Sequence, residues 1–169
     1  MVVPQAPGAI DSAAGARLIA LLLPLALLAG AYASQYLGGL YPCEMCWWQR
    51  YAHFAALILA VPAFLFPAHS RPSRTLVLLA ALAIAVSGAI GVYHAGVEAK
   101  IFEGFTQCTA LSHSRDTADL LKQITHAPVV RCDEVQFRFL GITLAGWNAI
   151  LSLGGASLIL LLAFRGRRA

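Results

Sequence analysis

The sequence predicts an all-α integral membrane protein, a four-helix bundle whose long outer loop carries a short amphipathic helix. Three observations carry this. Of the 169 residues, 59% are hydrophobic and only 12% are charged, about half the ~25% charged share of globular chains. Four apolar runs each approach the ~20 residues that cross a ~30 Å hydrocarbon core. The polar residues collect in one long segment, about 95–140. The chain therefore reads as a single membrane domain, 1–169. A net charge of +4 would suit a nucleic-acid binder, but the basic residues flank apolar runs rather than cluster on a polar domain, so nucleic acid is not expected as a partner.

Residues 1–16 are small, contain Pro and Gly and are nearly uncharged; a disordered tail is expected. The first span runs from Leu18 to about Leu37. Pro24 lies inside it as a candidate kink, which membrane helices tolerate. Arg17, the apolar run and Ala31-Tyr32-Ala33 also have the outline of a cleavable signal peptide, but no polar break follows the site. Gly38, Gly39 and Pro42 turn the chain, through residues 38–44, into a second span at about 45–66. Residues 67–74 hold Pro67, His69, Arg71, Pro72 and Arg74 and read as a short basic loop. The third span, about 75–94, carries Ser87, Gly88 and Gly91, small residues that let helices approach closely. In the 95–140 segment, Ala118, Leu121 and Ile124 recur at helical spacing with Asp119 and Lys122 between them. That predicts a short amphipathic helix over about 114–125, ended by Pro128. The fourth span is about 142–164, followed by Arg165, Arg167 and Arg168.

Orientation follows from the positive charges. Arg17, Arg71, Arg74, Arg165, Arg167 and Arg168 stand against one acid, Asp11, in the N-terminal flank, the 67–74 loop and the C-terminal tail. The positive-inside rule puts these segments in the cytoplasm. Both termini are then cytoplasmic, and the 38–44 and 95–140 loops face outward. Cys43, Cys46, Cys108 and Cys132 all fall on that outer, oxidising side, although no cysteine entered the argument.

The chemistry centres on Cys43-Glu44-Met45-Cys46-Trp47-Trp48-Gln49-Arg50. A C-x-x-C pair can close as a strained, exchangeable disulfide. Cys46 falls in the first turn of the second helix, where the dipole favours a thiolate. Arg50, four residues on, shares its face and adds positive charge; snorkelling to the interface is its plainer role. Trp47, Trp48 and Trp147 suit a membrane interface. His53 and the small residues of the third span read as packing, His94 as a site residue or an interfacial histidine, and Asp133 and Glu134 as solvated. A Cys₄ zinc site is disfavoured because Cys108 and Cys132 form no second short knuckle, so no metal is expected. Two inert staples are the stronger alternative: a Cys108–Cys132 bridge closing about two dozen residues would contribute roughly 3 kcal/mol. A redox pair at the bilayer rim and another in a soluble loop would instead pass electrons between a protein thiol and a lipid-soluble carrier.

The C-x-x-C-x-x-x-Arg element, Tyr93-His94-Ala95-Gly96-Val97-Glu98 at the end of the third span, and Cys132-Asp133 leading to Phe139-Leu140-Gly141-Ile142-Thr143-Leu144-Ala145-Gly146-Trp147-Asn148 closely resemble the disulfide bond formation protein B (DsbB) family. Glu44 stands where many members carry proline. The vitamin K epoxide reductase type places its loop pair before the C-x-x-C; the order here is the reverse. The resemblance implies a multi-pass protein of the bacterial inner membrane with periplasmic cysteines, a thiol:quinone oxidoreductase. It would re-oxidise a DsbA-like periplasmic thioredoxin-fold oxidase and pass electrons to ubiquinone or menaquinone. Carried over by position, Cys108 would meet the partner's thiolate and Cys132 would exchange with Cys43. Cys46 would then be free to act on the quinone, Arg50 would hold it, and His94 would lie beside its ring. The resting pairs would be Cys43–Cys46 with Cys108–Cys132, or a rearranged Cys43–Cys132 link. A partner near about −120 mV cannot pass electrons to glutathione or thioredoxin, roughly 100–150 mV lower, without a cost on the order of 5–7 kcal/mol. The acceptor must be more oxidising. A non-enzymatic membrane scaffold with two structural disulfides is the rival reading.

Overall fold

The computed structural model describes residues 11–104 and 130–165. Cys108 and the expected amphipathic helix at 114–125 lie outside these residues. The described residues are mainly helical, with four long helices among them: α1 (Ser12–Tyr36), α2 (Glu44–Ala60), α3 (Arg71–Glu98) and α4 (Leu144–Arg165). Of these, α1, α3 and α4 are long and apolar enough to cross a membrane. Their outward faces carry many exposed large apolar residues, among them Leu22, Leu25, Leu82, Ile150 and Leu161.

Helices α1 and α3 start at side-chain caps. The Asp11 carboxylate accepts from Ala13 N at 3.2 Å, so helix begins at Ser12 and residues 12–16 are helical rather than part of a tail. Helix α1 runs on through Pro24. The Ser70 hydroxyl accepts from Ser73 N, with Pro72 in the first turn. Helix α3 therefore starts at Arg71 and continues past His94 to Glu98, longer at both ends than the apolar run. Helix α2 is shorter than the expected 45–66 span: it ends at Ala60, and Pro62 diverts the chain into a 3₁₀ turn over Pro62–Leu65. It also buries Gln49, Arg50 and His53.

A short hairpin precedes the fourth helix. Arg138–Phe139 (β1) and Ile142–Thr143 (β2) pair antiparallel, Arg138 opposite Thr143. Leu140 at φ 51° and Gly141 at φ 82° form the two-residue turn, the doubly positive pattern that matches strand twist. Thr143, the last strand residue, accepts from Gly146 N at 3.1 Å and caps α4. The fourth helix thus begins at Leu144, after a hairpin that the expected 142 start had absorbed. Trp147 Nε1 donates to Phe139 O at 3.0 Å and holds the hairpin on the helix.

Helix α3 packs against α2 and α4, and α1 against the same two. The contacts are close because the residues are small: Ala16, Ala20, Ala56, Ala60, Ala80, Ala81 and Ala156 are buried in one core with Val77, Ile84 and Ile159. At Gly91 a Cβ would stand 3.0 Å from both Ala145 O and Ala149 N, so backbone meets backbone there. Arg17 donates to Phe66 O at 2.8 Å, and Arg74 lies 5.1 Å from the centre of the Phe164 ring. These contacts gather one end of the molecule. The three described cysteines gather at the other.

The segment bearing Cys132 is tied to the end of α3. Asp133, expected to be solvated, has only 15% of its side chain exposed. Its Oδ2 accepts from Lys100 Nζ at 2.6 Å and Arg131 NH2 at 2.8 Å, and its Oδ1 from Arg131 Nε at 2.9 Å. Arg131 and Lys100 hold the carboxyl well below the usual carboxylate range. Glu134, by contrast, is 65% exposed. Gln136 Nε2 donates to Tyr41 O at 2.8 Å, fastening the same segment to the approach to α2.

Two outcomes follow from this architecture. Gly91→Val should destabilise the protein by about 1–3 kcal/mol by forcing α3 and α4 apart, read as a shift in unfolding in detergent. Asp133→Asn should speed amide exchange over residues 130–134 about two- to five-fold at pH 7. In the native chain the carboxyl's folded value is depressed, so the latch contributes stability above the ordinary value of ~3.9. It persists at pH 4 and is lost only as pH falls further, through the folded value. Exchange at pH 4 and below checks that order.

Candidate functional site

Cys43 is the N-cap residue of α2, and its sulfur makes no capping bond. The sulfur turns instead into a small buried cluster with Met45, Val97 and Cys132, against which Cys46 and Tyr93 pack. Two residues of helix, Glu44 and Met45, bring Cys46 round to the same side. Its Sγ lies 3.2 Å from that of Cys43, a contact between two sulfurs and longer than the ~2.05 Å of a disulfide. Cys132 is wholly buried and packs into the same cluster as Cys43 from the loop side. Cys43 is therefore the middle sulfur of three. Crowding by the Cys132 and Cys46 sulfurs, together with burial, pushes its thiol far above the ordinary range.

His94, the last turn of α3, faces the same cluster. Its Nε2 lies 3.6 Å from Cys43 Sγ. Its Nδ1 lies 3.0 Å from Gln49 Nε2. Both nitrogens are thus engaged by protein groups. Glu98, one turn on, brings Oε1 to 3.9 Å from His94 Nε2, while its Oε2 is buried with no hydrogen-bond partner among the described residues.

Arg50 does not snorkel. It is 5% exposed. NH1 donates to Gln35 Oε1 at 2.6 Å and NH2 to Ala31 O at 3.0 Å. The guanidinium lies 4.6 Å from the Tyr32 ring centre and 5.0 Å from that of Trp47. Trp48 is exposed, as a belt residue would be. His53 is buried but does more than fill space: Nε2 lies 2.9 Å from both Asn148 Oδ1 and Ser87 Oγ.

Between α1 and the start of α2 lies a cavity of about 280 Å³. Leu27, Leu28 and Ala31 supply an apolar wall, and Cys46, Arg50 and Trp147 border it. The donor set suits a flat ring with carbonyl oxygens and an apolar tail. A guanidinium has five N–H donors, of which Gln35 and Ala31 take two. Cys43, Cys46 and His94 also place one potential metal ligand atom each within 4.8 Å of one another.

Of the residues expected from the sequence, Cys43, Cys46, Cys132 and His94 come together and Arg50 borders the same cavity; Cys108 lies outside the described residues. Gln35, Gln49, Ser87 and Asn148 belong to this site without having been expected in it. Their signal was a polar side chain inside an apolar helix, where lipid offers no partner.

The model of the disulfide bond formation protein DsbB family matches residues 13–162. A Disulfide bond formation protein B of Xanthomonas oryzae pv. oryzae is 26% identical over 156 residues, covering 89% of this chain and 90% of the relative. One from Marinobacter nauticus is 26% identical over 127 residues, covering 73% and 76%. An uncharacterized protein of Rickettsia prowazekii is 22% identical over 140 residues, covering 81% and 80%. No solved structure matches. With nearly the whole described chain inside the family match and the cysteines converging where the helices end, the chain belongs to the DsbB family of disulfide bond formation proteins.

Proposed function

We propose that this protein is a quinone-dependent disulfide oxidase of the bacterial inner membrane, which re-oxidises a DsbA-like periplasmic dithiol protein. Family membership assigns the chain to disulfide bond formation, an oxidoreductase role. The finer reading rests above all on Cys43, flanked by Cys46 at 3.2 Å and by Cys132, beside a cavity bordered by Cys46 and Arg50. In this reading the four helices form a membrane bundle with both termini cytoplasmic, and residues 38–44 and the long loop are periplasmic. The basic flanks support that orientation.

The electrons balance through sulfur. A reduced partner gives two electrons and two protons to a Cys108–Cys132 disulfide and leaves oxidised. The Cys132 thiolate attacks Cys43 of a Cys43–Cys46 disulfide; the Cys43–Cys132 bond forms and Cys46 departs as a thiolate. Cys108 would then attack Cys132 and restore the loop bond, releasing Cys43, and the two electrons would rest on the Cys43–Cys46 dithiol until the oxidant closes that pair again. The raised thiol value of Cys43 agrees with its leaving in the protonated form. A quinone bound in the cavity would supply the oxidising power, taking up two electrons and two protons as ubiquinone or menaquinone does.

The chain's own groups prepare that exchange. Cys46 stands in the first turn of α2, where the helix dipole favours its anion, and the Arg50 charge acts on it. The N–H groups of Arg50 not taken by Gln35 and Ala31 would hold a carbonyl oxygen. The apolar wall from α1 would exclude water and seat the tail. His94 Nε2 lies against Cys43, so a proton on that nitrogen would hydrogen-bond to sulfur and leave it no lone pair for a metal.

Purified protein mixed with a reduced thioredoxin-fold oxidase and a soluble quinone should turn over, read from quinone absorbance. Cys46→Ser should fall to background; equal activity would remove Cys46 from the mechanism. Arg50→Ala should raise the quinone KM about tenfold or more, the weight of a buried charged hydrogen bond, with less change in the KM for the protein substrate.

A further inference from the structure

A chain of buried amides stands behind His94, and its hydrogen bonds decide which ring nitrogen carries the proton. Asn148 Nδ2 lies 3.2 Å from Ser87 O. A backbone carbonyl only accepts, so this atom must be the NH₂ group, and the Asn148 amide cannot be reversed. The same NH₂ donates to Gln49 Oε1 at 2.8 Å. Gln49 Nε2 in turn donates to Met45 O at 3.2 Å, which fixes the second amide by the same logic. Its remaining contact is His94 Nδ1, at 3.0 Å. Facing an NH₂ donor, Nδ1 must be the bare acceptor, and the proton of the neutral ring sits on Nε2. That nitrogen faces Cys43 Sγ at 3.6 Å. Gln49 is 7% exposed and His94 3%, so water does not compete for these bonds.

We propose that Gln49 and Asn148 are positioning residues: they lock His94 in the Nε2–H form, which presents an N–H to the Cys43 sulfur during its exchange with Cys132. The proposal rests on the reading that Cys43 and Cys132 exchange, but it makes no use of a quinone. With Gln49 lost, the ring is free to carry its proton on Nδ1. A lone pair then faces Cys43 and can accept from the thiol, but it cannot donate to the sulfur as that becomes an anion.

The test uses the full chain in detergent, reduced, labelled with ¹⁵N-histidine and held at pH 8. Long-range ¹H–¹⁵N spectra report the tautomer of each ring, with His94 assigned by His94→Asn. The native protein should show His94 as Nε2–H alone, and Gln49→Met should show a mixture. In a Cys46→Ser, Cys108→Ser background only Cys43 and Cys132 remain. There, glutathione disulfide should oxidise them to one bond, releasing two glutathione thiols. Gln49→Met should slow that step about 3- to 10-fold, the weight of one buried neutral hydrogen bond. Asn148→Leu should act in the same direction. An Nδ1–H ring in the native protein overturns the proposal, whether or not Gln49→Met folds. So does a folded Gln49→Met in which both tautomer and rate are unchanged. Failure of native quinone turnover would sink the proposed function instead and leave these readouts standing.

Discussion

Lipid offers no hydrogen-bond partner to a polar group, and that constraint shapes the site end of this molecule. Helix α2 carries Gln49, Arg50 and His53, α3 carries Ser87 and His94, and α4 carries Asn148 and Ser152. None can be left facing hydrocarbon. They turn inward and satisfy one another: Asn148 to Gln49 and Ser87, Gln49 to His94, His53 to Asn148 and Ser87, Ser152 to Asn148. Each amide is oriented by a backbone carbonyl, so the network has one arrangement rather than several. The sulfurs sit at its outer edge. Their surroundings are therefore set by helix packing deeper in the protein.

That packing is permissive only because its contact residues are small. Gly91 lets α3 approach the Ala145 and Ala149 backbone, within one turn of Ser87 and of His94. A larger residue would shift both relative to Asn148 and break the register of the amides. The glycines read from the sequence as packing residues thus also hold the site's hydrogen bonds at length.

Much of this was legible from residue order. The apolar runs, the basic flanks and the C-x-x-C before Arg50 pointed to membrane helices and to sulfur at one end. The structure moved boundaries where local chemistry outweighs hydropathy: the Asp11 and Ser70 caps start helices earlier, and Pro62 ends α2 sooner. The hairpin was not legible. Its strands are two residues each, and Leu140-Gly141 lacks the Asn-Gly or Asp-Gly signature of its turn. Asp133 read as solvated because Lys100, the cation that covers it together with Arg131, is distant in sequence. Gln49 and Asn148 were visible within the family-like motifs, but their roles depend on which helix faces which, and periodicity does not carry that. The convergence of Cys132 on Cys43 was an expectation only through resemblance; spacing alone left the pairing open.

Arg50 shows how the site's electrostatics follow from the same constraint. A buried cation is costly unless paired, yet no carboxylate lies within ion-pair distance of Arg50 among the described residues. Its company is a carboxamide oxygen, a backbone carbonyl and two aromatic faces. These hold the guanidinium in place without cancelling its charge. A permanent acid there would neutralise the field that acts on Cys46 and leave only the Cys43 hydrogen bond and the helix dipole to favour the thiolate. A cation kept by neutral partners stabilises negative charge only when that charge appears beside it, which is differential stabilisation of a charged state over a neutral one, and such partners are how the fold keeps a buried arginine without a counter-ion.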